Sequence, residues 1–306
     1  MRNHPEFLMM LLSLSFCIIL IGQPVWSEPA PWTPAPSILL AQAEDEGDID
    51  ESYNSYGADT DEEIEYDEAI ISPEEAAEKK AAPGAMTAVD SLIRGIRWLG
   101  HASFLIEGGI AIYIDPYSLP EGLPPADLVL ITHDHRDHFS PGDLNKILKP
   151  TTVVVSVKSV CDNLPTKAKN SRTVAPGDTI SVGEVSIAVV PAYNIKKDFH
   201  PKENGWVGFV IEVEGRSIYH AGDTDLIPEM KHIDADVALL PAGGTYTMDA
   251  DEAAKAANLI KPQVAIPMHW GTIVGSEEDA KAFKTACKVP ALILKDESKQ
   301  VKVKEE

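Results

Sequence analysis

The chain has 306 residues and a mass of 33.2 kDa, room for one large domain or two small ones, and 44% hydrophobic residues suffice for a packed core. A formal charge of −22 argues against binding nucleic acid or an anionic membrane face through bulk charge. Three cysteines and no Cys-x-x-Cys exclude a disulfide scaffold and a thiolate zinc cluster. The acidity is also uneven. The first 86 residues hold 18 of the 48 acids, but only Arg2, Lys79 and Lys80 among the 26 basic residues.

In chain order, Arg2 is followed by an apolar run over residues 7–22 and then by small residues at Val25 and Ser27. This pattern predicts a secretory signal over residues 1–27. The run is about 16 residues, short of the roughly 18–20 needed to span a bilayer; an uncleaved anchor is the alternative. The expected location is therefore outside the cytoplasm, periplasmic or secreted. Membrane contact would be confined to the signal segment if it stays attached. Pro29, Pro31, Pro34 and Pro36 stiffen the next stretch, and an acidic segment poor in bulky apolar residues follows. Residues 28–86 are expected to be a disordered linker, because such a segment cannot bury enough surface to offset its ordering entropy.

From residue 87 to 306 the pattern predicts one globular domain. Short β-rich runs recur at Ile96–Leu99, Ser103–Glu107, Ile110–Ile114, Leu128–Ile131 and Thr152–Val157. Others lie at Thr179–Val182, Val185–Val190, Val207–Val213, Ser217–His220, Val237–Leu240, Val264–Met268 and Ala291–Leu294, with glycine-containing turns between several of them. Ser140-Pro141-Gly142-Asp143 and Asp249-Ala250-Asp251-Glu252 read as helix starts, and Ser276–Cys287 as a third helix. Strands in both hairpin and helix-separated settings predict an α/β layered domain.

The chemistry concentrates after one of these strands. Leu128–Ile131 runs into Thr132-His133-Asp134-His135-Arg136-Asp137-His138. Imidazole nitrogen and carboxylate oxygen bind zinc, manganese or iron at neutral pH. Alternate residues on extended backbone point the same way, so His133 and His135 can grip one ion. The turn into the next helix redirects Asp137 and His138 and leaves room for a second. With nine histidines in 306 residues, such a cluster is rare by chance.

This cluster, together with Trp98-Leu99-Gly100-His101-Ala102-Ser103-Phe104, Asp115-Pro116, His220-Ala221-Gly222-Asp223-Thr224 and Pro267-Met268-His269-Trp270-Gly271-Thr272, resembles the metallo-β-lactamase-fold hydrolases. The flanking motifs are similar to the group holding ascorbate-6-phosphate lactonase and the N-acylphosphatidylethanolamine phospholipase D enzymes. The resemblance covers about residues 94–295 and implies a four-layer αββα sandwich with its metals at one edge. It implies His133 and His135 on a first metal, Asp137, His138 and His269 on a second, and Asp223 bridging both. Two divalent ions would be the cofactors, zinc first, with manganese or iron as alternatives. His101 would stand at the rim of the active site, where with Asp137 it would serve catalysis.

One position departs from the family pattern. Asn194 occupies the place of the usual third histidine of the first metal, and an amide oxygen is a poorer zinc donor. His200, six residues on, is the candidate replacement, as ligand or as substrate contact. The expected function is hydrolysis of an ester-type bond, a phosphodiester, phosphoester or lactone, in a small-molecule substrate by a metal-bridging hydroxide. The alternative is a non-catalytic or mononuclear metal-binding domain exported on an acidic tether. No nucleic-acid partner is expected.

Overall fold

The structure is a computed structural model and describes residues 88–298. The expected signal at 1–27, the expected linker at 28–86, and residues 87 and 299–306 of the expected domain lie outside the described residues. Within them the chain forms two six-stranded sheets and five α-helices.

The first sheet contains β1 (Ile96–Trp98), β2 (Phe104–Glu107), β3 (Ala111–Ile114), β4 (Leu128–Ile131), β5 (Val153–Ser156) and β6 (Asn170–Thr173), in that spatial order. The second runs β12 (Val264–Met268), β11 (Val237–Pro241), β10 (Arg216–His220), β9 (Val207–Val213), β8 (Val185–Pro191), β7 (Thr179–Val182). Helices α1 (Ala88–Ile93), α2 (Pro141–Ile147), α3 (Lys158–Cys161), α4 (Ala250–Ile260) and α5 (Glu277–Ala286) complete the α/β architecture, the αββα sandwich that the resemblance implied.

Burial follows from strand position. β4, β11 and β12 are buried at every residue, because strands covered on both faces must be apolar throughout. Each such side chain contributes roughly 1.5–3 kcal/mol when taken fully from water. Edge strand β6, Asn-Ser-Arg-Thr, is exposed at all four positions. It has no apolar alternation, so its sequence carries no strand signal, and its polar face suits an edge that must not recruit another strand. Helix starts match their side chains: Ser140 Oγ accepts from the Asp143 amide, and Asp249 and Glu252 form a reciprocal capping box.

The expected strand at Ala291–Leu294 is not formed. Its pairing beside β12 is a single bridge, with the Ala265 amide donating to Pro290 O and the Leu292 amide to Ala265 O. In a parallel ladder the next donor on that side would be residue 267, and Pro267 has no N–H. Cys161 and Cys287 are free thiols.

Strand direction sets where function can sit. β1, β3, β4 and β5 point one way in the first sheet, as do β8, β10, β11 and β12 in the second. The two edges are tied together: the Val207 amide donates to Thr132 O, and the His269 amide donates to His101 O at 2.9 Å. Loops leaving the carboxyl ends of β1, β3, β4, β8, β10, β11 and β12 thus share one rim, the place where α/β folds bind ligands.

Candidate metal centre

Each candidate residue comes from one of those loops. His101 follows β1, Asp115 follows β3, and residues 132–138 follow β4. Asn194 and His200 follow β8, Asp223 follows β10, and His269 follows β12. Seven of the eight described histidines therefore reach one rim; His232 is elsewhere, in a 3-10 turn.

His133, His135 and His200 form the first group, with one potential ligand atom each and all three within 4.8 Å of one another. His133 Nε2 and His135 Nδ1 are 3.1 Å apart. The Trp206 ring walls this group, with centroids 4.7 Å from His133, 4.7 Å from His135 and 5.4 Å from His200. His200 Nδ1 donates to Tyr246 O at 3.1 Å, which leaves Nε2 facing the centre. Asn194 Oδ1 is likewise buried and without a hydrogen-bond partner. Its Nδ2 donates to Phe199 O at 2.8 Å and to Tyr246 O at 2.7 Å, and its amide N–H donates to His200 O at 2.8 Å. Asn194 thus clips the loop that delivers His200.

His101, Asp137, His138 and His269 form the second group, again within 4.8 Å. Asp115 lies behind it and behind the first. One Asp115 oxygen accepts from His138 Nδ1 at 2.7 Å and from Thr132 Oγ1 at 2.7 Å, and the other accepts from the Thr132 amide at 2.8 Å. Thr132 Oγ1 in turn lies 2.9 Å from His133 Nδ1 and accepts its proton. One buried carboxylate therefore sets the tautomer of a histidine in each group, leaving both Nε2 atoms toward the centre.

Asp223 stands between the groups. Its Oδ2 is 3.1 Å from His269 Nε2, 3.2 Å from His200 Nε2, 3.3 Å from His138 Nε2 and 4.0 Å from His133 Nε2. Burial favours protonating Asp223, but His138 and His269 overcome it and hold the carboxyl well below the usual carboxylate range. Burial likewise resists charging His138, yet Asp223 and Asp115 push its pKa well above the ordinary value. His133 goes the other way, kept neutral by burial and by the charge of His138.

The fit to a metal is tested by atoms left over. His138 Nε2, His200 Nε2, His269 Nε2 and Asp223 Oδ1 are buried and make no well-aligned hydrogen bond. An unmet buried polar group costs about 1–3 kcal/mol, so four beside one another are expected only where something else meets them. The donors are imidazole and carboxylate, which suits zinc, manganese or iron. Backbone strain marks the same place: His101, Asp115, His200 and His269 take φ of 53°, 45°, 56° and 59°. Each costs on the order of 1–3 kcal/mol outside glycine and persists only where surroundings impose it. Gly222 avoids that cost at φ 64°, where a Cβ would come within 2.7 Å of Val207 O, and so permits the turn into Asp223.

His101 lies inside that rim and not at its exposed edge: it is 1% exposed, its Nε2 lies 2.9 Å from Asp137 Oδ2, and its ring sits 3.9 Å from that of His269. The left-handed backbone at Gly100-His101 turns the side chain inward, where burial lowers its pKa to about 4 and keeps it neutral. Asn194 clips the loop through its Nδ2, while its Oδ1, the atom that would bind an ion, stays without a partner. His220 faces away from the ions' side, with Nε2 donating to Ala102 O and Nδ1 accepting from the Gly222 amide, so it shapes the Asp223 turn. Sequence reading missed Thr132, Trp206 and the Tyr246 carbonyl. Only Thr132 had a local signal, its place immediately before His133.

A two-sheet α/β fold with a His/Asp centre at the carboxyl ends of its strands defines a metal-dependent hydrolase of the metallo-β-lactamase type. The model of the β-lactamase superfamily domain matches residues 95–269, and the chain belongs to that family. It is 37% identical over 205 residues to a UPF0173 metal-dependent hydrolase of Pyrococcus abyssi, covering 62% of this chain and 90% of that one. A relative with the same description from Methanopyrus kandleri is 40% identical over 208 residues, covering 62% and 89%. Among solved structures, the metallo hydrolase Igni18 of Ignicoccus hospitalis aligns with a TM-score of 0.55 and 30% identity, over 66% of this chain and 94% of that one.

Proposed function

We propose that the protein hydrolyses an ester-type bond, a phosphodiester, phosphoester or lactone, in a small-molecule substrate at a centre for two divalent ions, zinc first. The carrying observation is the convergence of His133, His135 and His200 on one side of Asp223 Oδ2, and of His138, His269 and Asp137 on the other. His133, His135 and His200 would hold the first ion, Asp137, His138 and His269 the second, with Asp223 shared. When bound, such ions supply an acidified water and a Lewis acid for the oxygen under attack.

The chain's own residues then divide the work. Asp115 and Thr132 fix ring tautomers, and Trp206 excludes water from behind the first group. Asp137 is held ionised by the His101 hydrogen bond and the His138 charge, against the pull of burial. With the ions bound, its carboxylate would accept a hydrogen bond from the water and orient it. His101 acts through Asp137 and is a positioning residue. The resemblance of the flanking motifs to the lactonase and phospholipase D group supports the ester class.

Export is part of the proposal. The basic start, apolar run and small residues of 1–27 support a signal, and residues 28–86 a tether to a hydrolase domain at 87–306.

The test supplies zinc or manganese to the full chain and offers a bis(aryl) phosphodiester, an aryl phosphate and a γ-lactone. We expect metal-dependent turnover of at least one, abolished by a chelator and lowered on the order of a hundredfold or more in His135→Ala. Turnover indifferent to chelator, or none on any of the three with both sites loaded, would overturn the reading.

A further inference from the structure

The four exposed large hydrophobic residues among the described ones are Ile195, Phe199, Ile273 and Leu259. Scattered apolar residues on a surface need no explanation, but three of these four lie on loops that carry or adjoin the metal centre. Ile195 and Phe199 stand in the loop between Asn194 and His200, 53% and 48% exposed. Phe199 packs edge-on against Tyr246, with centroids 4.7 Å apart. Ile273 sits in the turn closed by the Gly271 amide on Val274 O, just after His269. That turn packs beside Gly243, where an added Cβ would come within 3.1 Å of Val274 Cγ2, three residues before Tyr246. The three loops are thus contiguous.

The Ile195–Phe199 loop is held rather than loose. Besides the Asn194 clip at both ends, the Ile195 amide donates to Asp225 Oδ2 at 2.9 Å, and Lys197 Nζ pairs with the other Asp225 oxygen. Of the six proposed ligand side chains and Asp223, only His135 and Asp137 are half-exposed, so solvent reaches the centre past them. The His135 ring is 4.9 Å from His200, the residue after Phe199.

Resting on the proposed hydrolase reading, we infer that the substrate carries an apolar acyl or alkyl substituent next to the scissile bond, which lies across the rim formed by Ile195, Phe199, Tyr246 and Ile273. A pinned rim presents this surface at little ordering cost, which favours its use in selecting substrate.

The test measures binding without requiring turnover. Methylphosphonate and octylphosphonate are titrated calorimetrically into the zinc-loaded full chain, into Phe199→Ser, into Ile195→Ser and, as control, into Leu259→Ser. Octylphosphonate should bind at least about tenfold more tightly than methylphosphonate to the wild type, since each buried methylene adds to affinity. That ratio should fall severalfold in Phe199→Ser and Ile195→Ser and stay unchanged in Leu259→Ser. Equal binding of the two phosphonates overturns the inference while leaving the metal centre intact. Failure of both to bind the metal-loaded protein overturns the hydrolase reading and this inference with it. A loss of self-association or of vesicle binding in the serine variants, with the phosphonate ratio unmoved, makes the patch a contact with another copy or with lipid and also overturns it.

Discussion

The two ligand groups are built differently. The second, around His138, draws Asp137 and His138 from the segment after β4 and His269 from the residue directly after β12. It holds the charge, with Asp223 and Asp115 keeping His138 protonated when no ion is present. The first consists of three imidazoles, with burial against protonation of His133 and His135, and the third, His200, arrives on a loop fastened by Asn194. The difference teaches that the two sites share the segment after β4, whereas the first also depends on a longer loop that can change without touching the sheets.

The largest effect should come from the residue both groups share. Asp223→Ala should remove both ions and lower kcat/KM by roughly a thousandfold or more, read by metal content and turnover together. If one ion stays firmly bound, Asp223 does not join the groups. Next, Asp115→Asn should weaken metal affinity in both groups by on the order of 10–100-fold, whereas Thr132→Val, whose hydroxyl meets His133 but neither His138 nor His269, should weaken mainly the first. Equal effects of the two on the second ion would break the distinction. Asn194→Ala should weaken the first ion roughly tenfold and leave the second unaltered, because it loosens the loop that carries His200. A competition titration with a chromophoric chelator resolves these cases.

The smallest effect concerns acid stability of the metal-free protein. His101 has a pKa of about 4 in the fold against an ordinary 6.5, because burial disfavours its charge. Between those values the unfolded chain binds a proton that the folded chain refuses, so this group's contribution falls as pH drops through that window. His138 runs the opposite way: its raised pKa stabilises the fold below 6.5 and is lost as pH rises through the folded value. The His138 contribution changes only above pH 6.5, while His133, His135 and His220, lowered by burial, add to the decline below it, so the readout is a difference. His101→Asn should flatten the decline of urea-unfolding stability between pH 6.5 and about 4 by on the order of 1 kcal/mol. An unchanged decline would mean that His101 titrates alike in both states.

Much of this was legible in the residues. The apolar runs at Leu128–Ile131 and Val264–Met268 are strands because they are buried on both faces, and the His-x-His-x-Asp-His cluster declares its chemistry by donor type and spacing. What escaped depended on partners distant in sequence. Strand β6 has no apolar pattern and is held by its pairing to β5. Ala291–Leu294 carries a strand pattern that Pro267, more than twenty residues earlier, prevents from propagating. The inward turn of His101 comes from a left-handed backbone, which residue identity alone does not disclose. Asn194 could be recognised as a departure, but its action through Tyr246 O, 52 residues on, required the fold.

The most direct measurement is the metal content of the full chain beside its His200→Ala variant, each equilibrated with zinc and freed of loose ions. The account predicts about two ions per wild-type chain and about one in the variant, the remaining ion being lost on adding His269→Ala. A wild type that holds at most one ion, or a His200→Ala variant that keeps two, would contradict it.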